Sequence, residues 1–222
     1  MIQTTKPMVT TNPLKTIKLW KELLILVGFA LIIFGAGQFI GTKFFWNQFN
    51  KTPLVDKQYE GALAKVKQTP NDPNSYIDLG WALYQKGQYN EALAEYKKAT
   101  VLDGTSSRAY LNLGIAYGKV EKNDIAITTL QKAIELDPKS YEAHYYLGLT
   151  YRSTAKYDLA LQELGIADTL NRGSSQIIYD IGQTKEKMGN IAGAKVEYNY
   201  VLQYDPNFTK AKEALNRLGG AK

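Results

Sequence analysis

The sequence predicts an all-α chain: an α-solenoid of four helix-turn-helix repeats with a capping helix at each end, preceded by one transmembrane helix. Three observations predict it. Glycine recurs at Gly80, Gly114, Gly148 and Gly182, a period of 34 residues held without a gap. Around each glycine the apolar residues fall at the spacing of an amphipathic helix. Upstream, residues 23–42 carry no charge.

Residues 1–22 form a basic tail with Lys6, Lys15, Lys18 and Lys21. Residues 23–42 read LLILVGFALIIFGAGQFIGT, the length a helix needs to cross the hydrocarbon core of a bilayer. Twelve of them are Leu, Ile, Val or Phe, contributing on the order of −5 kcal/mol to insertion. Trp20 and Trp46 flank the run, where indole rings favour the interface. The run is apolar on every face, which suits lipid better than one side of a soluble core. The rival reading is a cleaved signal sequence, with 23–34 as its apolar region and Gly35-Ala36-Gly37 as its small-residue site. Against that, 22 residues precede the run and apolar character resumes at Phe39-Ile40. Four lysines stand before the run and three after it, Lys43, Lys51 and Lys57. That balance places the N-terminus in the cytoplasm and the repeats outside the cell membrane. Gly37-x-x-x-Gly41 matches the small-residue pattern for close helix packing in lipid.

Residues 43–72 are read as a linker and an N-terminal capping helix, closed by Thr69-Pro70-Asn71-Asp72-Pro73. The repeats then occupy 73–106, 107–140, 141–174 and 175–208, and 209–222 holds a short C-terminal capping helix and tail. In each repeat an apolar residue precedes the glycine: Leu79, Leu113, Leu147 and Ile181. Twelve residues after it stand Ala92, Ala126, Ala160 and Ala194, then Tyr96, Leu130, Leu164 and Tyr198 four further on. Small residues at fixed places let two helices approach, and large ones fill the gaps beside them. Gly87 and Gly189 lie where the first helix must stop, since glycine tolerates the left-handed end of a helix. Asp137-Pro138 and Asp205-Pro206 end second helices, because the residue before proline avoids the helical region.

This pattern resembles the tetratricopeptide repeat, W-x2-L-G-x2-Y followed by A-x3-F, A and P. The matches are Tyr76 to Leu83 with Ala92, Tyr96 and Ala99; Tyr110 to Tyr117 with Ala126, Leu130, Ala133 and Pro138; His144 to Tyr151 with Ala160 and Ala167; and Ile178 to Lys185 with Ala194, Tyr198 and Pro206. The resemblance implies a right-handed superhelix whose first helices line an inner groove. It places Trp81, Arg108, Asn112, Tyr145, Tyr146, Arg152 and Tyr179 there as the candidate partner-binding residues, together with Ile77, Leu111, Ile115, Glu142, Leu149, Asp180, Gln183 and Glu186. Rings supply contact area at low entropy cost, and an asparagine can pair with backbone amides. Arg108 and Arg152 are suited to a carboxylate.

Composition removes several functions. No cysteine is present, and His144 is the single histidine, so thiolate chemistry and multi-histidine metal sites are excluded. The acids Asp78, Asp124, Glu142, Asp180 and Glu186 show no paired pattern, so no catalytic constellation is expected and no cofactor is implied. The formal net charge is +6, with no run of like charges and no nucleic-acid motif, so nucleic acid is not an expected partner. His144 stands where other repeats have Tyr76, Tyr110 and Ile178, which marks it as a packing residue. The expected function is a membrane-anchored scaffold that binds a peptide segment of a partner protein in assembly or biogenesis of a membrane or envelope complex. The alternative is a self-assembling membrane protein that forms a homo-oligomer or surface array.

Overall fold

The computed structural model describes residues 54–219. The expected transmembrane helix at 23–42, its basic tail, its orientation and the Gly37/Gly41 pair lie outside the described residues. Among the described residues, no helix is long and apolar enough to cross a membrane.

Ten helices follow one another among the described residues: α1 (Leu54–Gln68), α2 (Pro73–Gln85), α3 (Tyr89–Leu102), α4 (Ser107–Lys119), α5 (Asn123–Leu136), α6 (Tyr141–Ser153), α7 (Tyr157–Leu170), α8 (Ser175–Lys187), α9 (Ile191–Tyr204) and α10 (Thr209–Arg217). The closest pairs are α2 with α3, α4 with α5, α6 with α7 and α8 with α9. Each first helix also touches the first helix of the next pair. Among the described residues, second helices make no comparable contact with one another. The first helices therefore occupy the inside of the stack's curve and the second helices the outside.

The start of three of the four first helices is set by a capping side chain that the glycine pattern does not reveal, while Ser174 makes no side-chain capping bond. Asp72, Ser106, Ser140 and Ser174 are the N-caps, again 34 residues apart. The Asp72 carboxylate accepts from Asn74 N–H, and the Ser106 and Ser140 hydroxyls accept from Ala109 and Ala143 N–H. These bonds satisfy donors that the first turn leaves open. The turn into each second helix needs one left-handed residue. It is Gly87 (φ 77°) and Gly189 (φ 81°) in the outer pairs, but Glu121 and Ala155 (both φ 59°) in the middle ones. Asp103, Asp137, Asn171 and Asp205 end the second helices. The aspartates turn the chain by accepting from the N–H two residues on.

The core is built by the repeated glycine. A methyl group added to Gly114 would stand 2.6 Å from Leu130 Cγ, and one on Gly148 would stand 2.8 Å from Leu164 Cγ. In the outer pairs the same socket receives a ring: a methyl group on Gly80 or Gly182 would lie 2.6 Å from Tyr96 or Tyr198 Cε1. All four partners are buried, as are Ala92, Ala126, Ala160 and Ala194. Small and large residues thus alternate across every helix pair, which is how close-packed interiors avoid voids.

The two end helices are half repeats in phase with the rest. The α1 range lies one period before α3, and α10 begins one period after α8. Accordingly α1 packs on α2, and α10 packs on α9. The outward residues of α10, among them Lys210, Lys212, Glu213 and Asn216, are polar, as the terminus of a repeat stack requires.

His144 packs, and it also hydrogen-bonds. It is buried, with Nδ1 2.7 Å from Glu163 Oε2 and Nε2 3.2 Å from the Pro138 carbonyl oxygen. It ties α6 to α7 and to the turn that precedes it. Asp168 on α7 is less well served. Its Oδ1 is buried without a hydrogen-bond partner. Burial first, and then the Glu197 charge, push its carboxyl above the usual range, while Arg172 opposes them. A raised folded pKa makes the folded state hold the proton more tightly, so this contribution favours folding at low pH and is lost as pH rises through the folded value. Asp168→Asn is therefore expected to raise the melting temperature at neutral pH. The gain should shrink as pH falls through the carboxylate range, and a melting series from about pH 3 to pH 8 reads it directly. A gain independent of pH would contradict the assignment.

Candidate functional site: the inner row of first helices

The inner face is laced by ion pairs near its two ends. Near the N-terminal end, Lys65 of α1 and Arg108 of α4 both reach Asp78 of α2, at 2.6 and 3.4 Å. Toward the C-terminal end, Arg152 Nη1 donates to Asp180 Oδ1 at 2.7 Å and to the Asp180 carbonyl at 3.1 Å. Tyr145 and Gln176 donate to the other carboxylate oxygen at 2.8 and 2.7 Å. Asp180 is only 3% exposed, so α6 and α8 are joined by a buried carboxylate with three side-chain donors. Burial, and then the Asp180 charge, push the Tyr145 phenol well up, so it stays a donor. Beyond it, Glu186 accepts from both terminal nitrogens of Arg217 on α10 and from the Tyr198 hydroxyl at 2.8 Å. The Arg217 bonds hold the Glu186 carboxyl below the usual range, against its desolvation.

Between these ends lies a stretch richer in aromatic side chains. Trp81 of α2 is 44% exposed, and its ring stacks on Tyr84 at 5.6 Å between centroids and 7° between planes. Burial, followed by the neighbouring Tyr146 and Tyr89, pushes the Tyr84 phenol up to about 12. Its hydroxyl is thus neutral at any working pH. Facing it from α6 is Tyr146, edge-on to Tyr145 at 5.2 Å. At the place where α2 has Tyr84, α6 has Arg152 and α8 has Glu186, α4 carries Gly118. A cleft of about 190 Å3 opens between α4 and α6, lined by Ile115, Gly118, Lys119, Asn123, Tyr146 and Leu149 among others. Small-molecule sites run to roughly 300–1,000 Å3, so this volume suits one large side chain. A methyl group on Gly118 would meet nothing closer than Thr150 Oγ1 at 4.0 Å.

The structure separates the candidate residues into three groups. Tyr146 lines the cleft, Trp81 is exposed beside Gln58, Lys65 and Asp78 at the α1–α2 junction, and Asn112 spends its amide on the Arg108 carbonyl at 3.0 Å. Arg108, Tyr145 and Arg152 lie on the inner face but are engaged with acids of the neighbouring first helix. Tyr179 belongs to the core: it is 9% exposed and packs on Tyr198 and Phe208 at 5.3 and 5.4 Å between centroids. Ile77 is likewise buried, at 1%. Each has turned toward the second helices, because the inner face of a helix covers only a third of its circumference. Gly118 and Tyr84 were missed by sequence reasoning. Alignment of the four repeats at that position shows the signal, a glycine among three large side chains. Among the described residues, no group of three or more His, Asp or Glu side chains is placed to hold a metal ion.

The TPR repeat family profile matches residues 80–120 and 121–154. That match shows tetratricopeptide repeats over residues 80–154, and the helix pairs on either side continue the same fold. Among solved structures it is similar to MamA, at 29% identity over 70% of this chain and 91% of that one, with a TM-score of 0.62. A thermophilic TPR protein from Thermus thermophilus shares the fold at 20% identity, covering 77% and 93% of the two chains with a TM-score of 0.66. PilF of Pseudomonas aeruginosa shares it at 23% identity, 66% and 67% coverage and a TM-score of 0.61. Among curated proteins none matches the chain in sequence. The repeat fold is that of a protein–protein interaction scaffold, which typically carries no catalytic centre.

Proposed function

We propose that the chain is a membrane-anchored, non-catalytic adaptor that docks a peptide segment of a partner protein along the inner row of first helices, in assembly or biogenesis of a membrane or envelope complex. The observation that carries this reading is the contrast along the inner face. Asp78, Asp180 and Glu186 are ion-paired within the chain, while the face between them offers a cleft lined by Ile115, Gly118, Tyr146 and Leu149. A peptide would seat one large apolar or aromatic side chain at Gly118, between Ile115 of α4 and Tyr146 and Leu149 of α6. The apolar run at 23–42 supports a single-pass anchor, and the lysine balance supports a cytoplasmic N-terminus with the repeats on the far side. Between 54 and 219 the chain has 20 basic and 20 acidic side chains, which gives nucleic acid no electrostatic footing.

The test uses the full-length chain in the membranes of its native host, with a photoreactive residue in place of Leu149. A discrete crosslinked partner is expected. Gly118→Leu should reduce its yield at least tenfold while leaving the melting temperature unchanged or higher, because a filled cleft blocks the guest and the site has room for the side chain. A partner recovered equally with and without Gly118→Leu would overturn the groove reading.

A further inference from the structure

Two large side chains are missing at once beside the cleft between α4 and α6. Gly118 stands where the other repeats have Tyr84, Arg152 and Glu186, and Asn123 stands where they have Tyr89, Tyr157 and Ile191. Both residues line the cleft. In the first repeat the same two places hold rings, and Tyr84 and Tyr89 pack edge to face at 5.1 Å between centroids. In the second repeat neither ring is present, and Ile115 of α4 with Tyr146 and Leu149 of α6 give the space apolar walls. The Thr150 and Ser153 hydroxyls also line it, but each donates to a carbonyl of its own helix, at 2.7 and 2.8 Å. Donors left to a guest include Lys119, the last residue of α4, and Asn123, the first of α5. Lys119 is exposed. The ion pairs among the described residues engage Lys65, Lys86, Lys98, Lys132 and Lys185, and not Lys119. Elsewhere on the inner face Arg108, Arg152 and Arg217 are each held by an acid of another helix. Among the described residues no acid lines the cleft, and Glu121 and Asp124 on the nearby turn and Glu142 on α6 lie outside its lining.

We infer that the peptide proposed above to dock on the inner row presents an aromatic side chain to this cleft with an acidic residue beside it in sequence, an inference that rests on that docking. The ring enters a place that the first repeat fills with rings of its own, and it meets the Tyr146 ring there, a contact worth more than its area alone. An extended peptide advances about 3.3 Å per residue, so an acid next to the ring stays within reach of Lys119 at the border of the same cleft. The Asn123 amide can donate to a peptide carbonyl and accept from a peptide N–H. Lys119 also refuses partners. A basic residue beside the ring would meet its like charge, and a discriminating site needs such a repulsive element as well as an attractive one.

The test titrates fluorescein-labelled peptides with the full-length chain in phosphatidylcholine nanodiscs and follows binding by anisotropy. The reference probe is Gly-Ser-Phe-Asp-Glu-Ser-Gly. Replacing its two acids by Asn-Gln should weaken binding about fivefold, the upper end for an exposed ion pair. Replacing its Phe by Leu should weaken it about threefold, the extra worth of a ring against a ring. Lys119→Gln, at an exposed position, should erase the preference for the acids, and Lys119→Glu should turn it toward a Phe-Lys-Lys probe. Gly118→Leu should remove binding of every probe. Equal binding of the Asp-Glu and Asn-Gln probes, both lost in Gly118→Leu, would overturn the acidic partner and leave the groove standing. A Leu probe that binds as well as the Phe probe would overturn the ring. Binding of the reference probe that survives Gly118→Leu would overturn the cleft as its site, and the groove reading with it. No binding of the reference probe at about 1 mM would overturn the aromatic–acidic partner, while the crosslink from position 149 still decides the docking.

Discussion

Leu130→Ala is expected to lower the unfolding free energy by about 2–5 kcal/mol, the range for truncating a fully buried leucine. Leu130 has no exposed surface, and its side chain fills the socket left by Gly114. Gly114→Ala should be destabilising too, by roughly 1–3 kcal/mol, although alanine is about 1 kcal/mol the better helix former. The added methyl group falls 2.6 Å from Leu130 Cγ, a branch point held on all sides. The double variant should be less damaged than the sum of the two, since the new methyl group enters the space the leucine vacates. Gly118→Ala, one turn further along the same helix, should instead stabilise by roughly 0.5–1 kcal/mol, because nothing stands within contact of its methyl group. Denaturant unfolding of the four variants checks the set. Additive losses for Gly114→Ala and Leu130→Ala would show that the glycine is not a socket. Each pair is supported only by its neighbours, so a loss in this central pair is felt on both sides of the stack.

Asp180→Ala or Arg152→Ala should cost about 3–5 kcal/mol, because each leaves the other charge without its partner in a largely dry site. Asp180 is the more severe case, with its side chain 4% exposed against 21% for Arg152. Removal of the carboxylate also strips the Tyr145 and Gln176 donors of their acceptor. Tyr145→Phe, which deletes one of the three side-chain donors, should cost only about 1 kcal/mol. Joint replacement, Arg152→Met with Asp180→Leu, should recover most of the stability, since apolar side chains of similar volume often equal or exceed a buried ion pair. The readout is again the unfolding midpoint. A loss under about 1 kcal/mol for Asp180→Ala would mean that water reaches the site. The effect on partner binding should be indirect, through the angle between α6 and α8.

The helix pairs were legible because their determinants are local and periodic. Gly114 and Leu130 are separated by 16 residues within one repeat, and the same separation recurs in the other three. The N-caps Asp72, Ser106, Ser140 and Ser174 were equally available in the sequence, but serine is too common to stand out until the helix starts are known. The groove was legible as a face and not as a site. Arg152, a plausible hand for a partner's carboxylate, is occupied by Asp180, 28 residues away. Tyr179 lies at an inner-face position by numbering, yet its ring is drawn into the core by Tyr198 and Phe208. Gly118, which makes the cleft, shows in the sequence only as a missing side chain.

The sequence by itself determined the repeat, its length, the pairing of first and second helices and the small-to-large packing inside each pair, because these rest on residues that recur in phase and interact along one chain segment. Tertiary structure decided which inner-face groups remain free. Each ion pair there joins helices from different repeats, and its members share no periodic spacing. Whether a charge on that face is available to a partner depends on a neighbour that only the stacking of repeats brings within reach.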